Sequence, residues 1–124
     1  GGCHSRAVEI DPSDNQIVWE YRGDPPISFF SYHISGADRL PNGNTLICEG
    51  APGRIFEVTP AKDIVWEYIN PFLGKSGAGV GGTTSGFANS VFRAHRYGPD
   101  HPALQGRDLD PDRHANLNRL YSSA

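Results

Sequence analysis

The chain has 124 residues, among them 15 Gly, 10 Pro and two Cys, and a formal net charge of −3. This is the size of one domain; so much Gly and Pro excludes a helical bundle, and the charge excludes the clustered Lys and Arg of a nucleic-acid footprint. No apolar run approaches the ~20 residues of a membrane-spanning helix, and Cys3 and Cys48 do not make a disulfide framework.

In chain order, the first strand signal is Arg6-Ala-Val-Glu-Ile-Asp-Pro12, followed by Ile17-Val-Trp-Glu-Tyr21. The same series returns as Arg54-Ile-Phe-Glu-Val-Thr-Pro60 and Ile64-Val-Trp-Glu-Tyr68. The offset is 48 residues between the arginines and 47 between Trp19 and Trp66. Short strands recurring about every 40–50 residues mark the blades of a β-propeller. The expected fold class is therefore all-β: a β-propeller fragment of about two and a half four-stranded antiparallel blades.

Residues 1–21 read as the end of one blade and 22–71 as a complete one. In the complete blade an inner strand is expected over 34–40, and Asn42-Gly43 is a strong hairpin signal. Thr45-Leu-Ile-Cys48 reads as the second strand, 54–58 as the third and 64–68 as the outer strand. Cys48 fits a small buried hydrophobe. Residues 72–90 read as a Gly-rich loop. Its Gly74-Lys75-Ser76 lacks the earlier Gly of a phosphate-binding loop, because position 69 is Ile. Ala94-His-Arg-Tyr97 aligns with Ala37-Asp-Arg-Leu40. That makes 91–97 the inner strand of a further blade, with an irregular tail running to 124. In this register the chain opens between the second and third strands of a blade. The remaining blades are expected from the same longer chain or from other copies, since a propeller needs about four to eight. Trp19 and Trp66 occupy one repeated position, which predicts packing between sheets. Arg6 with Arg54, and Glu20 with Glu67, repeat equally and read as structural.

His33-Ile-Ser-Gly-Ala-Asp-Arg-Leu-Pro-Asn-Gly-Asn-Thr-Leu-Ile47, then Gly53-Arg-Ile-Phe-Glu-Val58 and Ile64-Val-Trp-Glu-Tyr68, resembles the bacterial arylsulfotransferase-type β-propeller family. Val91-Phe-Arg-Ala-His-Arg-Tyr97 is similar to a segment near the end of such propellers. The resemblance implies a periplasmic or extracellular protein that moves a sulfuryl group between phenolic compounds through an active-site His. His33 precedes Pro41 by eight residues, as the family's inner-strand His does; Ser35 stands where the family has Asn, and Ser90 where a second His would fall. His33 is thus the catalytic candidate, since a neutral imidazole near pH 7 serves as nucleophile or proton carrier. Sulfuryl transfer also needs cations on the non-bridging oxygens. Arg39, Arg93 and Arg96 are the candidates, with His95 beside them as a substrate-binding residue. The partners this implies are further blades and a phenolic or sulfated small molecule.

No cofactor is expected, with calcium at Asp108, Asp110 and Asp112 as the alternative. Asp108-Leu-Asp-Pro-Asp112 carries the alternating carboxylates of a calcium loop at Asp108, Asp110 and Asp112, but Arg113 and Arg119 stand where that loop needs Gly and Glu. It reads as a surface turn. The alternative to an enzyme is a non-catalytic extracellular propeller module for scaffolding, binding or polymeric assembly.

Overall fold

The structure, a computed structural model, describes residues 2–75 and 87–115. Strands β1 (Arg6–Asp11) and β2 (Gln16–Arg22) form a two-stranded antiparallel sheet. Strands β3 (Ser35–Arg39), β4 (Thr45–Glu49), β5 (Arg54–Val58) and β6 (Ile64–Ile69) form a four-stranded antiparallel sheet in chain order. The fold is all-β, and the two Ile-Val-Trp-Glu-Tyr strands lie in separate sheets. At the base of the Gly-rich segment, β7 (Gly74–Lys75) pairs with β8 (Phe87–Ala88). The rest of that segment, 76–86, and the tail from 116 lie outside the described residues. No helix among the described residues is long and apolar enough to cross a membrane.

The sequence repeat is also a repeat of register. Glu9 faces Trp19 and Ile10 faces Ile17, so Val18 is the extra residue of a bulge. Glu57 faces Trp66 and Val58 faces Ile64, so Val65 bulges at the same point. A bulge adds twist and re-aims the side chains around it. The turn between β3 and β4 uses Pro41 and Asn42, then Gly43 at φ +88° with its N–H donating to Leu40 O. Positive φ at Gly43 is what Asn-Gly supplies here, closing the turn with a left-handed residue.

Strand periodicity divides the four-stranded sheet into two faces. One face carries Arg39, Thr45, Ile47, Phe56 and Val58 and packs on the first sheet. The shared core is Ala7, Tyr21, Phe29, Ile47, Phe56 and Val58, with Trp19 packed against it. Tyr21, Phe29 and Phe56 form an aromatic triad with centroids 5.6–5.7 Å apart, and the Phe29–Phe56 contact is edge-to-face at 89°. Such pairs add to plain area burial. The other face carries Leu46, Cys48, Ile55, Glu57, Trp66 and Tyr68, and residues 91–97 lie against it.

Residues 91–97, expected as an inner strand, have no sheet partner among the described residues. The segment is fixed at one end instead. Val91 N–H donates to Gly50 O at 2.9 Å and Ser90 Oγ to Ala51 O at 3.1 Å. A Cβ on Gly50 would sit 2.3 Å from Val91 O and 2.6 Å from Ile34 O. Gly50 is therefore the point where both inner segments approach the β4–β5 turn. Trp66 also departs from expectation: it is 42% exposed while Trp19 is half-buried. The physical reason is coverage: among the described residues, the four-stranded sheet lies over Trp19 and the 91–97 segment alone lies over Trp66.

Phe56 is 0% exposed at the centre of the inter-sheet core. Phe56→Ala is expected to cost about 3–5 kcal/mol, read from the midpoint and slope of urea unfolding.

Candidate functional site

The five residues singled out by the sequence fall in three places. His33 stands just before β3, exposed, with its ring 4.3 Å from that of Tyr32. The backbone after it is strained: Ile34, a β-branched residue, has φ +43°. Ser31 holds this bend. Its hydroxyl lies 2.7 Å from His33 O and 2.8 Å from Ile34 O, and it accepts from Ala51 N–H at 3.0 Å. A strained residue persists only where its surroundings over-determine it; here one hydroxyl joins the bend to the β4–β5 turn.

Arg39, at the end of β3, reaches back to the first sheet. Its guanidinium lies 4.8 Å from the centroid of Trp19 and pairs with Glu9. It also donates to Gly43 O at 2.7 Å. Trp19 Nε1 donates in turn to Pro60 O at 3.0 Å. Arg96 repeats the arrangement one unit later. Its guanidinium lies 4.8 Å from the centroid of Trp66 and pairs with Glu57. The Trp and the Glu are shifted by 47 and 48 residues and the Arg by 57, the Gly-rich segment falling between the two arginines, so the two clusters are the same device built twice. Cation–π stacking and a charge-assisted hydrogen bond act together in it.

The second clasp is better insulated. Glu57 is 3% exposed and accepts from Asn44 Nδ2 at 2.7 Å and Asn42 Nδ2 at 3.2 Å. Burial pushes its carboxyl up, but the two amides and the Arg96 guanidinium outweigh this and hold it below the usual glutamate value. Asn42 and Asn44, read from the sequence as turn residues, thus also solvate a buried carboxylate. The signal for Glu57 was present: Val8-Glu9-Ile10 and Phe56-Glu57-Val58 both place a carboxylate between apolar residues at one repeated position.

Arg93, His95 and Arg96 lie along one cleft of about 480 Å³ whose floor is Leu46, Ile55 and the Trp66 indole. His95 Nδ1 is 3.8 Å from Asp38 Oδ2, and both side chains are more than half exposed. Asp38 and His95 hold equivalent positions in the two inner segments, so successive segments meet at one level. The cleft therefore gathers three of the five candidates. His33 and Arg39 lie elsewhere, Arg39 in a smaller cleft of about 180 Å³ against the first sheet.

The repeated pairs within each sheet are also present. Arg6 pairs with Glu20 at 3.1 Å, and Arg54 pairs with Glu67 and with the buried Glu49. The carboxylates of 108–112 serve local turns: Asp108 accepts from Asp110 N–H at 3.0 Å and Asp110 from Asp112 N–H at 2.9 Å, while Asp108 also pairs with Arg113. Among the described residues, no three His, Cys, Asp or Glu side chains converge as a metal site. Comparison with family models, curated proteins and solved structures gives no match to this chain.

A carboxyl held low in the folded state adds stability above its unfolded value, and that stability is lost as pH falls through the folded value. For Glu57 the loss is expected below about pH 4.3. Urea unfolding across a pH series checks this. The wild type should lose stability more steeply there than Glu57→Gln, which should be the less stable of the two at pH 7.

Proposed function

We propose that this chain is a section of a β-propeller resembling the arylsulfotransferase type, with β1–β2 ending one blade, β3–β6 forming the next and 91–97 opening a third. The observation that carries this reading is the repeated clasp: Arg39 on Trp19 and Glu9, then Arg96 on Trp66 and Glu57. A segment gripping the sheet before it through an Arg, found twice in the chain, supports blade-on-blade packing. In this reading Arg39 and Arg96 are structural. Their guanidiniums are already met by carboxylates and stacked on indoles, which leaves them poorly placed to meet sulfuryl oxygens.

The transferase activity is proposed from the resemblance, with His33 as the group that takes the sulfuryl from an aryl sulfate and passes it to a phenol. The exposed ring of His33 and the bend beside it support this. Arg93, also exposed, lies along the cleft over Trp66 and not beside His33. The commitment of Arg39 and Arg96 to the clasps favours the second reading, a non-catalytic module.

The test is transfer from an aryl sulfate to a phenol, followed in the wild type and in His33→Ala. The transferase reading expects activity that His33→Ala abolishes, with unchanged thermal unfolding. Ser31→Ala is expected to lower the rate by about tenfold or more, because small misplacements of a reacting group cost that much. Full activity in His33→Ala removes His33 from the mechanism. No activity in the wild type selects the non-catalytic module.

A further inference from the structure

Residues 89–96 are held to the four-stranded sheet by two kinds of contact, and the two kinds are separated along the segment. At its start the contacts are neutral hydrogen bonds. Val91 N–H donates to Gly50 O at 2.9 Å, and Ser90 Oγ to Ala51 O at 3.1 Å. Asn70 Nδ2 donates to Asn89 O at 2.8 Å, and Asn89 Nδ2 returns the bond to Asn70 O at 3.1 Å. At its far end the contacts are ionic. Asp38, Leu46, Glu57 and Trp66 are paired in one row across β3 to β6. His95 approaches Asp38 to 3.8 Å, and Arg96 meets Glu57 and Trp66.

We infer that residues 91–96 are a hinged strap that acid opens: protonation of Glu57 frees Arg96, and the far end lifts from the β4–β6 face while Val91 stays on Gly50. The groups packed around Glu57 fit this. The β3–β4 turn supplies the Asn42 and Asn44 amides, β4 and β6 supply the uncharged Leu46 and Trp66, and the strap supplies Arg96. Asp38 stands in the same row, facing His95, and Arg93 lies along the same cleft. A neutral carboxyl at 57 keeps the two amides as hydrogen-bond partners, so the sheet loses the strap and not its own packing. Arg93 and Arg96, with His95 once it is protonated, then stand as like charges within 93–96. Burial pushes the Glu57 carboxyl up, but the amides and Arg96 bring it below its usual value. The seated strap therefore favours the carboxylate, and by linkage protonation favours the released strap. The first clasp differs, because the sheets it joins also share the Tyr21, Phe29 and Phe56 triad.

Neither the propeller reading nor sulfuryl transfer enters here; the strap is defined by its own contacts. The test is an NMR titration of the full chain from pH 7 to pH 3. It follows the backbone amides of 93–96, the indole N–H of Trp66, and the amides of Val91, Tyr21 and Ile47. The expected result is one step, with a midpoint below about pH 4.3, that moves 93–96 to the values of an unstructured peptide and shifts Trp66. Val91, Tyr21 and Ile47 should keep their pH 7 positions through that step. In Glu57→Gln, and separately in Arg96→Gln, the 93–96 amides should already sit at the released values at pH 7, and the acid step should be absent. Tyr21 and Ile47 report that each variant is folded. A step of unchanged size and midpoint in either variant overturns the inference, and so does the absence of a step down to pH 3. Movement of Val91, Tyr21 and Ile47 together with 93–96 overturns it too, because the whole chain then unfolds and no strap opens.

Discussion

A guanidinium between an indole and a carboxylate joins each of the two larger sheets to a segment that follows it, and the packing of the described residues depends on that contact. The four-stranded sheet must place its own hydrophobic face, Ile47, Phe56 and Val58, against Tyr21 and Ala7 of the sheet before it. Non-directional burial alone would let two such sheets slide or rotate. The Arg39 cluster removes that freedom, because Glu9, Trp19 and Gly43 O must all be met at once. The bulges at Val18 and Val65 act within the same design. Each falls next to the Glu–Trp pair and so sets the twist at the point where the next segment attaches.

The clasp also accounts for the charge pattern. Arg6–Glu20 and Arg54–Glu67 link neighbouring strands within a sheet, whereas Arg39–Glu9 and Arg96–Glu57 link successive units. Arg6–Glu20 and Arg39–Glu9 are solvent-exposed pairs, and such pairs contribute little to stability by themselves. Arg96–Glu57 differs, because the Glu57 carboxylate is buried and is also held by two amides. Removing one partner there leaves a buried carboxylate with less solvation, which is the costly direction.

Much of this was legible in the sequence because the repeat is strict in residue type. Strand order, the placement of the two Ile-Val-Trp-Glu-Tyr strands in separate sheets and the Asn42-Gly43 turn all follow from local pattern. What was not legible was long-range. The partners of Arg39 lie 20 and 30 residues away at Trp19 and Glu9, and no spacing rule predicts them. Ser31 gave no signal, since its role depends on the strained backbone of Ile34. The unequal burial of Trp19 and Trp66 could not be read from identical motifs either, because it reflects what lies over each sheet. Of the candidate site, the sequence supplied the residue types, and the gathering of Arg93, His95 and Arg96 along one cleft emerged only from the fold.

The central claim is that one clasp is built twice. A pair of double-mutant cycles tests it most directly, Arg39 with Trp19 and Arg96 with Trp66, each to Ala, measured by urea unfolding of the full chain. Coupling energies of the same sign, about 0.5–1 kcal/mol in each cycle, are predicted for partly exposed guanidinium–indole contacts. Coupling in one cycle and none in the other, or additivity in both, would contradict the account.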